Sequence, residues 1–347
     1  MLFTHSRCRG VVYHFSQDNV KVLDQTTAGI LASVDSFTIN QRVKWWEALS
    51  LGCFEQRNTY DIFDKATGTH LFVAQEQSAD CERFCCKPHQ SLRIEFYLVN
   101  SQERQWVKGG MPQYNLPVVM TADREGACGA KPCLCCFACT DSCQDSMVVH
   151  AGKQDEATRG NFAFTEQTFG FIDQPTCGGF CKPTFNVHNK TQSASSIDAF
   201  SPLATMVGPC CFGGWTQFCF ESEFNFHGAA AEKTPAISGG TPKEKAPPLA
   251  KLTKKKPAGW SACAKELFTD ADVYTVDYAP NVGLTPQQKA NMMASIILTD
   301  FHLFEEDNGI CKFEHNAVKC TLWECYCCGC LIPCNLVFAQ GQNGGGN

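Results

Sequence analysis

Residues 285–305 read TPQQKANMMASIILTDFHLFE. Thr285 stands where a helix cap belongs, Pro286 takes the first helical position, where its missing N–H costs nothing, and Gln288 follows three residues after the cap. Apolar residues then dominate from Ala290 to Phe304. At about 1.5 Å per residue the segment from Thr285 to Glu305 spans roughly 30 Å, enough to cross a bilayer. A spanning helix needs about 18 or more continuous apolar residues, however, and Lys289, Asn291, Asp300 and His302 break the run. A helix too polar to span and too apolar to be exposed belongs inside protein.

The sequence before this helix supplies the wall to enclose it. Leu92, Ile94, Phe96 and Leu98 alternate with Arg93, Glu95 and Tyr97, and Phe218, Phe220, Phe224 and Phe226 alternate with Cys219, Glu221, Glu223 and Asn225. Shorter strand candidates lie at Met147–Ala151, Asn161–Phe164, Phe169–Asp173, Thr184–His188 and Val273–Tyr278. Asn58–Asp64 and Thr69–Glu76 flank Lys65-Ala66-Thr67-Gly68, a four-residue connection with glycine where a left-handed conformation is needed, and read as a hairpin. Ahead of them Ile39, Val43, Trp46 and Leu49 fall at spacings of three and four, which predicts a short amphipathic helix over Ile39–Ser50. The middle of the chain is thus one extended antiparallel β structure.

Residues 232–257 interrupt it with seven Lys, two Glu and five Pro and no periodicity, the pattern of a disordered insertion carrying a net charge of +5 (seven minus two). The organisation expected is a tail over 1–35, a barrel domain over 36–306 and a cysteine-rich extension over 307–347.

Composition narrows the function. A chain of 347 residues with 44% hydrophobic residues and a net charge of −6 can bury a sizeable core. It is neither disordered nor a polyanion binder, which argues against nucleic acid as a partner. The 24 cysteines crowd into bunches such as Cys85-Cys86, Cys133 to Cys143, Cys210-Cys211 and Cys325 to Cys334, unlike the spread half-cystines of a secreted scaffold. The first residues, MLFTHSRCRGVVYHFS, lack an apolar core and cleavage site, so reduced thiols facing the cytosol are expected. Arg7 and Arg9, with no acid before Asp18, leave a mitochondrial location as the alternative. No G-x-S-x-G elbow, H-E-x-x-H helix, P-loop or dinucleotide fingerprint is present, and nothing marks the chain as a chemical catalyst.

Several blocks, in order, resemble the phospholipid scramblase family: INQRVKWWEALSLGCFEQRNTYDI, LFVAQEQSADCERFCCKPHQSLRI, PCLCCFAC, GFIDQ, MVGPCC, KELFTDADVY and IILTDFHLFEE. The resemblance covers roughly Gly29 to Asp307. It implies a tubby-like fold, mainly β, a closed antiparallel barrel around a buried C-terminal hydrophobic helix. It also implies a membrane-associated protein that moves phospholipids between leaflets without ATP, with calcium as the candidate trigger. The competing expectation is a non-enzymatic lipid- or protein-binding scaffold, an accessory subunit of a larger membrane assembly.

Two sets of site residues follow from the resemblance, and a third from charge alone. The segment DADVYTVDYAPN aligns with the family's calcium stretch and offers Asp270, Asp272, Asp277 and Asn281, although Tyr274, Val276 and Tyr278 alternate there as in a buried strand. Cys133, Cys135, Cys136, Cys139 and Cys143 match the region that is S-acylated in the family, with palmitate as the expected group. Several such chains would anchor a protein that has no spanning helix. A thiolate metal site is the alternative for these cysteines and for Cys81, Cys85, Cys86 and His89, but neither set has the paired C-x2-C spacing of a zinc ribbon, which argues against zinc. Lys251, Lys254, Lys255 and Lys256 would add contact with an anionic leaflet. The tail from Thr321 to Phe338 reads either as a monotopic or acylated anchor or as a hairpin packed on the barrel or on a partner.

Overall fold

The computed structural model describes residues 22–42, 57–78, 91–99, 116–124, 138–140, 143–160, 163–193, 195–229, 247–256, 272–280, 282–304, 311–314 and 317–339. Helix α1 (Gln25–Ser33) is followed by β1 (Ser36–Gln41), β2 (Thr59–Asp64), β3 (His70–Gln77), β4 (Leu92–Leu98), β5 (Val118–Arg124), β6 (Ser146–Ala151), β7 (Thr168–Asp173), β8 (Thr184–Lys190) and β9 (Phe200–Val207). Then come β10 (Cys211–Phe212), β11 (Ser222–Gly228), β12 (Ala250–Lys254), β13 (Val273–Tyr278), helix α2 (Pro286–Leu303), and β14 (Cys311–Glu314), β15 (Ala317–Cys327) and β16 (Cys330–Ala339). Twelve strands, β1 to β9 and β11 to β13, close into one antiparallel barrel, with β1 sealing it between β2 and β13.

Helix α2 fills the barrel. The expected cap is present: the Thr285 hydroxyl accepts from the Gln288 amide, and the Gln288 side chain accepts from the Thr285 amide at 2.9 Å. Every residue from Gln287 to Phe301 is buried. The polar groups that rule out a bilayer each meet a partner in the wall or, for Lys289, at the end of α1. Lys289 Nζ donates to the carbonyls of Val34 (2.5 Å) and Leu31 (3.0 Å), and burial pulls its pKa down. Asn291 Nδ2 donates to Asn189 Oδ1 at 2.8 Å, Asp300 accepts from Tyr60 Oη at 2.5 Å and from the Tyr274 hydroxyl, and His302 lies 3.2 Å from Asp145. Buried polar atoms without such partners would each cost on the order of 1–3 kcal/mol. The helix and wall are fitted to each other at Gly170, where a Cβ would fall 1.7 Å from Asn291 Oδ1.

Five expectations are corrected. Ser36–Gln41 is a barrel strand with Phe37 and Ile39 facing the core, so the predicted helix over Ile39–Ser50 does not begin there; residues 43–50 lie outside the described residues. Pairing on both sides of β1 outweighs a helical spacing carried by few residues. The insertion over 232–257 is shorter than expected, because Ala250–Lys254 is a barrel strand with Ala250 and Leu252 inward. The tail over 1–35 contains α1, whose last-turn carbonyls receive Lys289, so the folded unit starts before residue 36. The strand expected at Asn161–Phe164 is absent at residues 163–164, and the one expected from Phe218 begins at Ser222, after a 3-10 turn over Gly214–Phe218. The 58–76 hairpin forms as read, with Gly68 at φ +69° in its turn.

Candidate functional site

The acidic segment does not gather its carboxylates. Val273–Tyr278 alternates, with Tyr274, Val276 and Tyr278 inward. Asp272 therefore joins the inward face and Asp277 the outward one, five residues on and about 17 Å away at strand rise. Asp272 is buried, 2.7 Å from Lys254 Nζ, and accepts from Tyr274 Oη at 3.0 Å. Asp277 sits at the surface, 2.6 Å from Lys65 Nζ. One cation cannot take both. Asp270 and Asn281 lie outside the described residues. What the sequence reading missed is the cluster at the end of α2, where Asp300, Tyr60, Tyr274, Asp272 and Lys254 form one buried hydrogen-bonded group. Burial, with Asp272 and Asp300 adding, raises the Tyr274 pKa well above the usual phenol value, so it stays a donor. The signal was there in Asp300, an acid inside an otherwise apolar helix.

The lysines divide by the same alternation. Lys254 points inward, ion-paired with Asp272 and 3.9 Å from the Phe304 ring centroid, so it is removed from the surface-contact set. Lys251 faces out opposite Glu223 (2.6 Å), Lys255 pairs with Glu221 (3.3 Å), and Lys256 is exposed.

The cysteines share one end of the barrel. Strands β5, β7, β9 and β12 all run toward the end where α2 finishes, as the contacts of Arg124 with Asp145, Gln174 with His302, Phe212 with Phe304 and Lys254 with Phe304 show. The connections leaving these strands carry Cys139, Cys143, Cys177, Cys181, Cys210, Cys211 and Cys219. With the five tail thiols, all twelve free cysteines among the described residues lie at this end or on the tail docked there. Cys320 is disulfide-bonded, which departs from the fully reduced set expected. Cys133, Cys135 and Cys136, like Cys81, Cys85, Cys86 and His89, lie outside the described residues; Cys139 is exposed and Cys143 half-buried. Phe180, Trp215 and Phe220 are exposed beside them, at 66%, 44% and 71%. Among the described residues no group of three His, Cys, Asp or Glu side chains stands ready to hold a metal ion.

The tail takes the hairpin form. β15 and β16 pair antiparallel from Ala317–Ala339 to Cys327–Cys330, and β10 and β14 complete a second sheet. Tyr326 anchors it: the ring is buried, its hydroxyl donates to the Gly178 carbonyl and accepts from Gln174 Nε2, both at 2.8 Å. Close approach explains Gly178, where a Cβ would meet the Tyr326 hydroxyl at 2.3 Å and the φ is +57°. β16 leaves Ile332, Leu336, Val337 and Phe338 exposed. No helix among the described residues is long and apolar enough to cross a membrane.

A twelve-stranded antiparallel barrel closed around its own C-terminal helix is a tubby-like architecture. Within that class the chain belongs to the scramblase family, whose model matches residues 16–219 and 249–306. It is similar to phospholipid scramblase 1 of Mus musculus (23% identical over 275 residues, 79% of this chain and 62% of that protein) and of Rattus norvegicus (22%, 79% and 61%). It is also similar to phospholipid scramblase 2 of Bos taurus (23% over 279 residues, 80% and 71%). The matched region spans about three-fifths of the length of the mouse and rat proteins. No solved structure matches the chain. The tail hairpin lies beyond the family match.

Proposed function

We propose that this chain is a membrane-associated, scramblase-like protein, not a chemical catalyst, which promotes ATP-independent movement of phospholipids between leaflets and faces the cytosol. The observation that carries the reading is the single barrel end where exposed cysteines, exposed aromatic side chains and Lys255 and Lys256 come together. Acyl chains on Cys133, Cys135, Cys136, Cys139 and Cys143 would hold that end to a bilayer, each buried methylene contributing about 0.8 kcal/mol, with the lysines as the second, electrostatic signal. The barrel lumen offers no route for a headgroup, because α2 packs it from Gln287 to Phe301. Lipid would therefore move along the outer surface of the attached end. Calcium control through the acidic segment would have to use Asp270 and Asn281, since Asp272 is committed to Lys254. The test is a reconstituted-liposome assay on purified protein with calcium and with chelator. Transfer in either condition supports the reading, and none in both overturns it.

The exposed apolar side chains of β16 favour a second reading, a docking scaffold within a membrane assembly. Its second edge, which no strand among the described residues pairs, would add to a partner's sheet. Native co-purification with other membrane subunits that is lost on truncation at Thr321, together with no lipid transfer, would select it. Fractionation of cells carrying the full chain decides a mitochondrial location.

A further inference from the structure

Two sulfur pairs join parts of the chain far apart in sequence, and they differ in kind. Cys139 Sγ and Cys177 Sγ are 3.8 Å apart, in turns with no strand register to hold them. Cys211 Sγ and Cys325 Sγ are 3.0 Å apart, and their residues are direct cross-strand neighbours between β10 and β15. The Tyr326 amide donates to the Cys210 carbonyl at 2.8 Å, so residues 210 and 326 form a hydrogen-bonded pair. Residues 211 and 325 are then the adjoining non-hydrogen-bonded pair, whose Cα atoms approach to about 4.5 Å. A disulfide spans Cα separations of about 4.4–6.8 Å. Backbone and sulfurs are both already in place for the bond. Cys211 is exposed and Cys325 half-buried, so a small oxidant reaches them.

We propose that Cys211 and Cys325 form a reversible disulfide that latches the tail hairpin onto the cysteine-rich end of the barrel. The oxidant is a hydroperoxide. One thiolate attacks its O–O bond, becomes a sulfenic acid and releases water or an alcohol; the second thiol attacks the sulfenic sulfur, the S–S bond forms, and the departing hydroxide takes that thiol's proton as water. Overall two thiols lose two protons and two electrons, and the peroxide takes both up as two molecules of water, or one of water and one of alcohol. A dithiol reverses the bond by exchange through a mixed disulfide, and Cys210, whose sulfur lies 3.9 Å from that of Cys211, is the nearest thiol to take part. The hydrogen bond with Cys325, with burial and Cys210 adding, pushes the Cys211 thiol up to about 12, so the latch closes slowly at neutral pH and faster in alkali. Once closed, it joins the family-matched barrel to the unmatched tail across more than a hundred residues of chain, the kind of crosslink that most restricts opening. It would also hold Ile332, Leu336, Val337 and Phe338 in one place. None of this depends on the membrane role.

The test uses the full chain in solution, treated with hydrogen peroxide or kept in dithiothreitol, with free thiols alkylated before reduction and formerly bridged ones after it. Peptide mapping should show residues 211 and 325 crosslinked with the loss of two hydrogens, faster at pH 9 than at pH 7 and reversed by dithiothreitol. Limited proteolysis of the tail should slow at least about tenfold in the oxidised protein. Cys325→Ser should abolish both effects and Cys219→Ser neither; should Cys325→Ser not fold, Cys211→Ser, at an exposed position, carries the same test. Cys211 and Cys325 alkylated separately after peroxide, bridged only to other cysteines, or protected by stoichiometric zinc would overturn the proposal.

Discussion

The two ends of the barrel are made of different materials. Where α2 begins, α1 covers the opening, Lys289 is received by its carbonyls, and the described connections include the hairpin turn at Gly68 and a 3-10 turn over Ile197–Ala199. Where α2 ends stand the free thiols, and of nine exposed large apolar side chains all but Ile197 lie there or on the tail hairpin. One end is finished as protein core, with Lys289 and the Asn291 amide nitrogen paired internally. The other combines a satisfied buried cluster with an apolar, nucleophilic surface that nothing in the chain covers among the described residues. Stability and attachment are therefore separable by position.

Asp300→Ala should have the largest effect, a loss of about 4 kcal/mol in urea unfolding, because it removes the carboxylate that accepts from the buried Tyr60 and Tyr274 hydroxyls and leaves Tyr274 only Asp272, beneath the thiol-bearing end. An unchanged stability would mean that the buried cluster does not support that end. Gly170→Ala, midway along the wall, should cost about 3 kcal/mol through the clash with Asn291, and adding Asn291→Ala should recover part of it.

The pH dependence sharpens the contrast from the wall itself. Burial, with Arg93 and Lys190 adding repulsion, pulls His150 down from 6.5 to about 4. The folded state then holds fewer protons than the unfolded one, so this residue's contribution is complete above pH 6.5 and is lost as pH falls toward 4, by about 3 kcal/mol. In His150→Asn the slope of stability against pH over that window should flatten.

Replacing Cys133, Cys135, Cys136, Cys139 and Cys143 together by Ser should lower the membrane-bound fraction at least about tenfold, with unfolding unchanged within 1 kcal/mol. Hydroxylamine should do the same to the wild type, leaving residual binding that salt removes as it screens Lys251, Lys255 and Lys256. Thr285→Ala, at the finished end, should show the reverse pattern: about 1 kcal/mol of stability lost with the cap, and membrane partition untouched.

Local chemistry made part of this protein legible. The Thr285 cap, the helix that could be neither exposed nor membrane-spanning, the Gly68 hairpin and the alternation at Leu92–Leu98 are short-range patterns, and each formed as read. β1 and β12 were not legible, because a strand of five or six residues inside a lysine-rich or helically spaced stretch is defined by the neighbours that pair with it. α1 escaped for the opposite reason: nine residues with Gly29 and two threonines have little intrinsic helicity, and Asp24 capping plus docking on Lys289 stabilise what propensity would not.

For the candidate site the division is sharper. The sequence by itself determined which residue types were available: bunched cysteines, a lysine run, an acidic segment and an apolar tail. Only the tertiary structure decided what each could do, since alternation along β12 and β13 turned Lys254 and Asp272 inward to each other while leaving Lys251 and Asp277 outside. Likewise, pairing of the tail hairpin with β10 in the second sheet brought Cys211 to Cys325, across 114 positions, into direct register. Strand parity and long-range pairing set those outcomes, and neither is a property of any local stretch of chain.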